Sequence, residues 1–289
     1  MGAFDRSPSP RPPRGAHWTR RFASPLVCIS DVACRPHDLN CTHEFCFGEH
    51  RLCFVRRGVF RKHVSGAPLV VDANLAAYFP AHEEFKTSHV DLSGDDCTFL
   101  SFDPGALEES ESGVEPRPGV THAPLSPQTL LASRRLFALN ERKLADAFEI
   151  EERALALLGR VRGETAAARR VVLSPGARHL ALQAREALAE DPCAEHTLSG
   201  LALRIGASPS YVSQTFRLAH GVGLHRFLTR LRLAVALDRI LGGEEDLSAL
   251  AHDIGFSSHS HFTYAFRTNF GVTPSAARDL SGREPLLAG

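Results

Sequence analysis

Five groups able to bind metal or undergo redox chemistry, Cys41, His43, Cys46, His50 and Cys53, fall within thirteen residues. Thiolate and neutral imidazole are zinc ligands, and clustered thiols can oxidise, so this stretch admits a metal or redox reading. The spacing argues against it. Two Cys-x-x-Cys pairs are absent, and on a strand Cys41 and His43 share a face that Cys46 does not. Cysteine is also a common buried small side chain. We therefore expect neither metal nor cofactor, and keep these five as weak candidates. Cys41-Thr42-His43 with a later His89 would make a poor facial triad for a metal-dependent enzyme. His89 is better placed to contact a bound effector, or to sit satisfied in a core.

A different chemistry is offered near the C-terminus. Ser210, Ser213 and Gln214, and then His259, Ser260, His261, Thr263 and Tyr264, are donors and acceptors suited to base edges. They differ from the Lys and Glu of an ordinary solvated helix face. Arg217 and Arg267 each follow a phenylalanine, where a guanidinium could grip phosphate.

These groups sit on a duplicated frame. Leu198-Ser199-Gly200-Leu201-Ala202-Leu203-Arg204-Ile205-Gly206 recurs as Leu247-Ser248-Ala249-Leu250-Ala251-His252-Asp253-Ile254-Gly255, with six of nine positions identical. The offset is 49 there and becomes 50 further on, where Phe216, Arg217, Gly221 and Val222 match Phe266, Arg267, Gly271 and Val272. In each copy Leu, Leu, Ala and Ile at i, i+3, i+4 and i+7 give a short helix one apolar face. The Gly ends that helix in a left-handed conformation. A serine then caps a second helix: Ser208 before Pro209, and Ser257 or Ser258 in the second copy. Val212 and Phe216, or Phe262 and Phe266, bury that helix and leave its polar face free. This is the helix-turn-helix plan, whose second helix enters the major groove. We expect units at 197–219 and 246–269, joined by one helix over Leu224–Leu241 that Gly242-Gly243 stops. The bland alternative is an all-α packing module in which the repeat records only a duplication.

The block at 176–283 resembles the DNA-binding domain of the AraC/XylS family of bacterial transcription regulators. The residues that carry the resemblance are Ile254-Gly255-Phe256-Ser257-Ser258, Ser260-His261-Phe262, Ala265-Phe266-Arg267 and Phe270-Gly271-Val272-Thr273-Pro274, together with the doubled motif. It implies base-facing roles for Ser210, Ser213, Gln214, His259, Ser260, His261, Thr263 and Tyr264, and phosphate contacts for Arg217 and Arg267. Ser210 stands where many members carry a larger side chain. Less specifically, Arg57-Gly58-Val59-Phe60, Val71-Asp72-Ala73-Asn74, Phe79-Pro80-Ala81, Ser88-His89 and Gly94-Asp95-Asp96-Cys97 resemble the cupin-like effector barrel of such regulators. The family implies double-stranded DNA and RNA polymerase as partners, a small-molecule effector and a homodimer.

The rest of the chain fits an α+β multidomain fold. Residues 1–24 carry Pro, Ser and Arg without the apolar run of a secretion signal, and read as a disordered basic tail. Short apolar runs between turn signals over 25–122 predict a β-barrel or sandwich: Leu52–Val55, Leu69–Val71, Ala76–Phe79 and Thr98–Leu100. Ser101–Ser126 reads as an irregular connection. Residues 126–170 turn helical, with Leu144, Phe148, Leu155 and Leu158 spaced as a seam for dimerisation or for packing on the chain's own domain. Residues 163–176 read as a linker.

Formal net charge is zero, so attraction to nucleic acid must be local. Arginine outnumbers lysine thirty to three, and each guanidinium keeps its charge at any cellular pH. Seven cysteines without a secretion signal suit a reducing, cytoplasmic setting. No apolar run reaches the roughly 18 residues of a membrane span. We expect a non-enzymatic regulator of transcription. The alternative is a cupin-type metal-dependent enzyme, or a metal or redox sensor built on the Cys/His cluster.

Overall fold

The computed structural model describes residues 15–39, 46–64, 68–103, 121–167 and 172–279. Nine strands come first among the described residues: β1 (Ala16–Ala23), β2 (Val27–Cys34), β3 (His50–Arg57), β4 (Phe60–His63), β5 (Leu69–Val71), β6 (Leu75–Phe79), β7 (Lys86–His89), β8 (Asp95–Phe102) and β9 (His122–Pro124). They form an antiparallel sheet ordered β1-β2-β8-β3-β6-β9 and a smaller sheet ordered β5-β4-β7.

The central strands are buried on both faces, which is why they read as continuous apolar runs. Cys53, Val55, Cys97 and Phe99 point into the core between the sheets, with Phe60, Val71, Phe79 and Phe85. Their neighbours Leu52, Phe54, Leu100 and Phe102 point the other way, onto helices. The inter-sheet core is aromatic: Phe47 packs on Phe79, Phe85 and Phe99 at centroid distances of 5.8, 5.1 and 6.0 Å.

Nine helices follow among the described residues: α1 (Pro127–Glu141), α2 (Ala147–Ala167), α3 (Pro175–Glu190), α4 (Leu198–Ile205), α5 (Pro209–His220), α6 (Leu224–Leu241), α7 (Leu247–Asp253), α8 (His259–Phe270) and α9 (Pro274–Asp279). Serine followed by proline starts α1, α3 and α5, as a capping hydroxyl and a preset φ require. Helix α1 lies between the sheet and the C-terminal helices, and its Phe137 meets Phe54 edge-on at 5.6 Å. No helix among the described residues is long and apolar enough to cross a membrane.

Four expectations change. Residues 16–23 are the edge strand β1, not tail; its half-exposed, arginine-bearing pattern hides it among Pro, Ser and Arg, while residues 1–14 lie outside the described set. The connection expected to be irregular contains β9, too short to leave a periodic signal. Helix α2 runs into the expected linker as far as Ala167, because alanines favour helix. The leucine seam divides: Leu144 falls in the turn before α2, Phe148 and Leu155 are exposed on it, and Leu158 is buried.

Ion pairs join the β region to the helices. Asp238 on α6 receives Arg56 from β3 at 2.7 Å and lies 2.9 Å from Arg134 of α1. Arg61 on β4 grips Glu186 of α3 at 2.5 and 2.8 Å. Arg185 of α3 reaches Asp72, just beyond β5, at 2.6 Å.

Candidate nucleic-acid interface

The two units are built alike. In the first, Thr197 accepts from the Gly200 amide to open α4, and Gly206 at φ 73° closes it with its amide on the Leu203 carbonyl. Ser208 then caps α5 by accepting from the Tyr211 amide at 3.3 Å. In the second, Asp246 accepts from the Ser248 and Ala249 amides, Gly255 turns at φ 82°, and Ser258 accepts from the His261 amide at 3.2 Å. Ser258, rather than Ser257, is therefore the cap. The change of offset from 49 to 50 is located in this turn. Ala207 separates Gly206 from Ser208, whereas Phe256 and Ser257 separate Gly255 from Ser258. Phe256 is buried against Phe262 at 5.5 Å, so the added residue contributes to the core.

Val212 and Phe216 hold α5 down with no exposure, and Phe262 and Phe266 do the same for α8. The opposite faces are free. Ser210 and Gln214 are exposed on α5, and His259, Ser260, His261 and Tyr264 on α8. Ser213 and Thr263, which correspond in the repeat, are only partly exposed. The Thr263 hydroxyl is covered and has no hydrogen-bond partner among the described residues, so it lies beneath the exposed polar face. Gln214 Nε2 donates to Ser210 Oγ at 3.4 Å, and His261 Nδ1 lies 3.3 Å from Ser257 Oγ. These weak, solvent-facing bonds can be exchanged for bonds to a ligand. Arg217 and Arg267 are exposed and take part in no ion pair among the described residues. Tyr211, half exposed in α5, occupies the position of His261 in α8, and only alignment of the two copies by their caps identifies it.

The arginines of α6 differ in role. Arg226 is exposed, and Arg230 donates to the Leu125 carbonyl. Arg239 pairs with Glu244 and Asp253 at 2.6 and 2.9 Å. Arg232 donates to the carbonyls of Pro192, Ala194 and Gly255 at 2.8, 2.9 and 2.7 Å, tying the turn of the second unit to the segment before the first. Helix α6 has 18 residues, about 27 Å at 1.5 Å each, and sets the spacing of the units as a rigid bar.

The Cys/His cluster is not brought together where it is described. Cys46 is exposed, the His50 ring accepts from the Ala81 amide at 3.2 Å, and Cys53 is fully buried between the sheets; Cys41 and His43 lie outside the described residues. His89 is buried, and its Nε2 lies 3.0 Å from Asp95 Oδ1.

Residues 201–279 match the family model described as a helix-turn-helix domain. The regulatory protein PocR of Salmonella typhimurium is 31% identical over 81 residues, which are 28% of this chain and 27% of that protein. The chain thus spans under a third of that relative's length. The transcriptional regulator ExsA of Pseudomonas aeruginosa is 24% identical over 237 residues, 81% of this chain and 79% of its own. A crystal structure of ToxT from Vibrio cholerae aligns over 92% of this chain and 98% of its own, at 8% identity and a TM-score of 0.34, too low to equate the folds.

Proposed function

From a C-terminal domain that belongs to the AraC/XylS family of transcription regulators, we propose that this chain binds DNA at specific sequences and regulates transcription. The observation that carries the proposal is the pair of exposed, polar second helices, α5 and α8, each capped by serine and anchored by two buried apolar residues. In this reading Ser210, Gln214, His259, Ser260, His261 and Tyr264 face bases, with Ser213 and Thr263 at the margin. Arg217 and Arg267 hold phosphates. The β region is a cupin-like sensor domain that binds a small-molecule effector. Helices α1 and α2 contribute to a homodimer through exposed Phe148 and Leu155, and the complex contacts RNA polymerase in the cytoplasm. Transmission from effector to DNA requires that the ligand prefer one arrangement of the molecule over another.

Selection of bound fragments from a random DNA pool tests the reading, with half-sites about one helical turn apart expected. Arg217→Ala and Arg267→Ala should weaken all sequences about equally, each lowering the slope of log affinity against log salt by roughly 1. Gln214→Ala and His259→Ala should instead cost about 1–3 kcal/mol on the selected site and relax preference at one or two base pairs. An unchanged sequence preference in both of the latter variants would overturn the assignment of the reading faces.

A further inference from the structure

We propose that Cys34, His89 and Asp95 form a site for one divalent transition-metal ion of the zinc class, placed between the two sheets. The residues come from three strands. Cys34 ends β2 and lies in register with Asp95, which opens β8 in the same sheet; His89 ends β7 in the other sheet. All three are buried, and a thiol sulfur, a ring nitrogen and a carboxylate oxygen lie within 4.8 Å of one another. They are 55 and 61 positions apart along the chain, so the fold alone assembles them.

Three physical arguments lead to a cation. Asp95 is a buried carboxylate with no arginine or lysine at ion-pair distance among the described residues. Among the described residues its carboxylate oxygens meet the His89 ring at 3.0 Å and the Cys97 thiol, which donates at 3.0 Å, while Arg35 donates to its backbone carbonyl at 3.2 Å. A buried carboxylate ordinarily needs an opposite charge. Next, His89 Nδ1 is buried without a hydrogen-bond partner among the described residues, although buried polar atoms are nearly always satisfied. Last, one thiolate and one carboxylate balance a dication, and a neutral imidazole adds no charge. Sulfur, nitrogen and oxygen together suit zinc. Cys97 then serves as the outer hydrogen bond that fixes the carboxylate.

The backbone holds this corner rigidly. Gly94, at φ +73°, packs so closely that a Cβ there would lie 2.0 Å from the Cys34 carbonyl oxygen. Gly58 packs against Gly94 in the same way, at 2.2 Å. The His89 carbonyl also accepts from Arg61, the residue that grips Glu186 of α3, so the site adjoins the seam with the helical domain.

The test is metal content of the full-length protein purified without chelator in reducing buffer, followed by cobalt titration of the stripped protein. About one zinc per chain is expected, and cobalt should give a thiolate charge-transfer band. Cys34→Ser should remove the band. His89→Gln and Asp95→Asn should drop zinc well below one per chain, while Cys97→Ser and Cys46→Ser retain it. If a ligand variant fails to fold, X-ray absorption of the wild-type zinc decides: one sulfur neighbour supports the site, and none or several overturns it. Zinc far below one per chain with no cobalt band also overturns it. So does zinc that survives Cys34→Ser and His89→Gln but is lost on Cys41→Ser with Cys46→Ser.

Discussion

Replacing Asp238 by Ala should destabilise the protein by about 3 kcal/mol or more, the range found when one partner of a buried ion pair is removed. Asp238 receives two guanidinium groups from different parts of the chain. Arg56 comes from the sheet and keeps Glu141 as a second partner at 3.0 Å. Arg134 comes from α1 and is only 1% exposed. Burial works against the charge on both. For Arg56, Asp238 and Glu141 outweigh burial and the pKa rises; for Arg134 burial prevails over Asp238 and the pKa falls. Without Asp238, Arg134 retains the Val55 carbonyl and, among the described residues, no carboxylate. A buried cation without a counter-charge is the costly outcome, so the loss should exceed that of any surface pair.

Thermal melting checks this, with a fall on the order of 5–10 °C expected for a chain of this size. Arg56→Ala should cost less than Asp238→Ala, because Arg134 then keeps its carboxylate. Joint replacement by apolar residues, Arg134→Met with Asp238→Leu, should recover most of the loss, because the unpaired charge disappears with its partner. A melting midpoint unchanged in Asp238→Ala would mean that the three charges are held apart by solvent.

The separation of the charged partners explains what could be read from the sequence. Helix α6 begins and ends where its period and Gly242-Gly243 place it, because caps and stops are local signals. The same holds for the turns at Gly206 and Gly255. Asp238 gave no such signal: its partner Arg56 lies 182 positions away, and nothing near either residue marks the other. Proximity in the sequence is likewise a poor guide to proximity in the fold for the thiols and imidazoles. Cys41 to Cys53 crowd together in the sequence, yet Cys46 is exposed while Cys53 is buried. Cys34, His89 and Asp95 are scattered in the sequence and gathered by β-sheet register. Thr263 shows the limit of helical periodicity for the candidate interface. Its position in α8 counts it with the polar face, but burial of its hydroxyl depends on how the helix is rolled on its core.

Acidification from pH 7 to pH 5 should remove roughly 3 kcal/mol of stability through two histidines at the seam between the β region and the helices. His122 stands on β9 and His220 at the end of α5. Both have pKa values lowered to about 4, first by burial and then by the nearby Arg185 guanidinium, with Asp72 opposing in part. The His220 ring is held neutral between Phe216 and Phe227, at 4.4 and 6.0 Å, with its Nε2 on the Ala181 carbonyl at 3.4 Å. In the unfolded chain each imidazole titrates near 6.5, so below that pH the unfolded state binds more protons. The contribution is fully present above about pH 6.5 and is lost as the pH falls towards 4. At pH 5 about half of it is gone, about 1–2 kcal/mol for each group. Protonation would place new charge beside Arg185, so the Arg185–Asp72 pair at 2.6 Å is the contact most directly opposed. Urea unfolding at the two pH values measures the loss. The double variant His122→Gln with His220→Phe should be less sensitive to acid by the same amount, since the other titrating groups are common to both proteins. If it loses as much stability between pH 7 and pH 5 as the wild type, the acid-labile groups lie elsewhere and the seam is not where protons act.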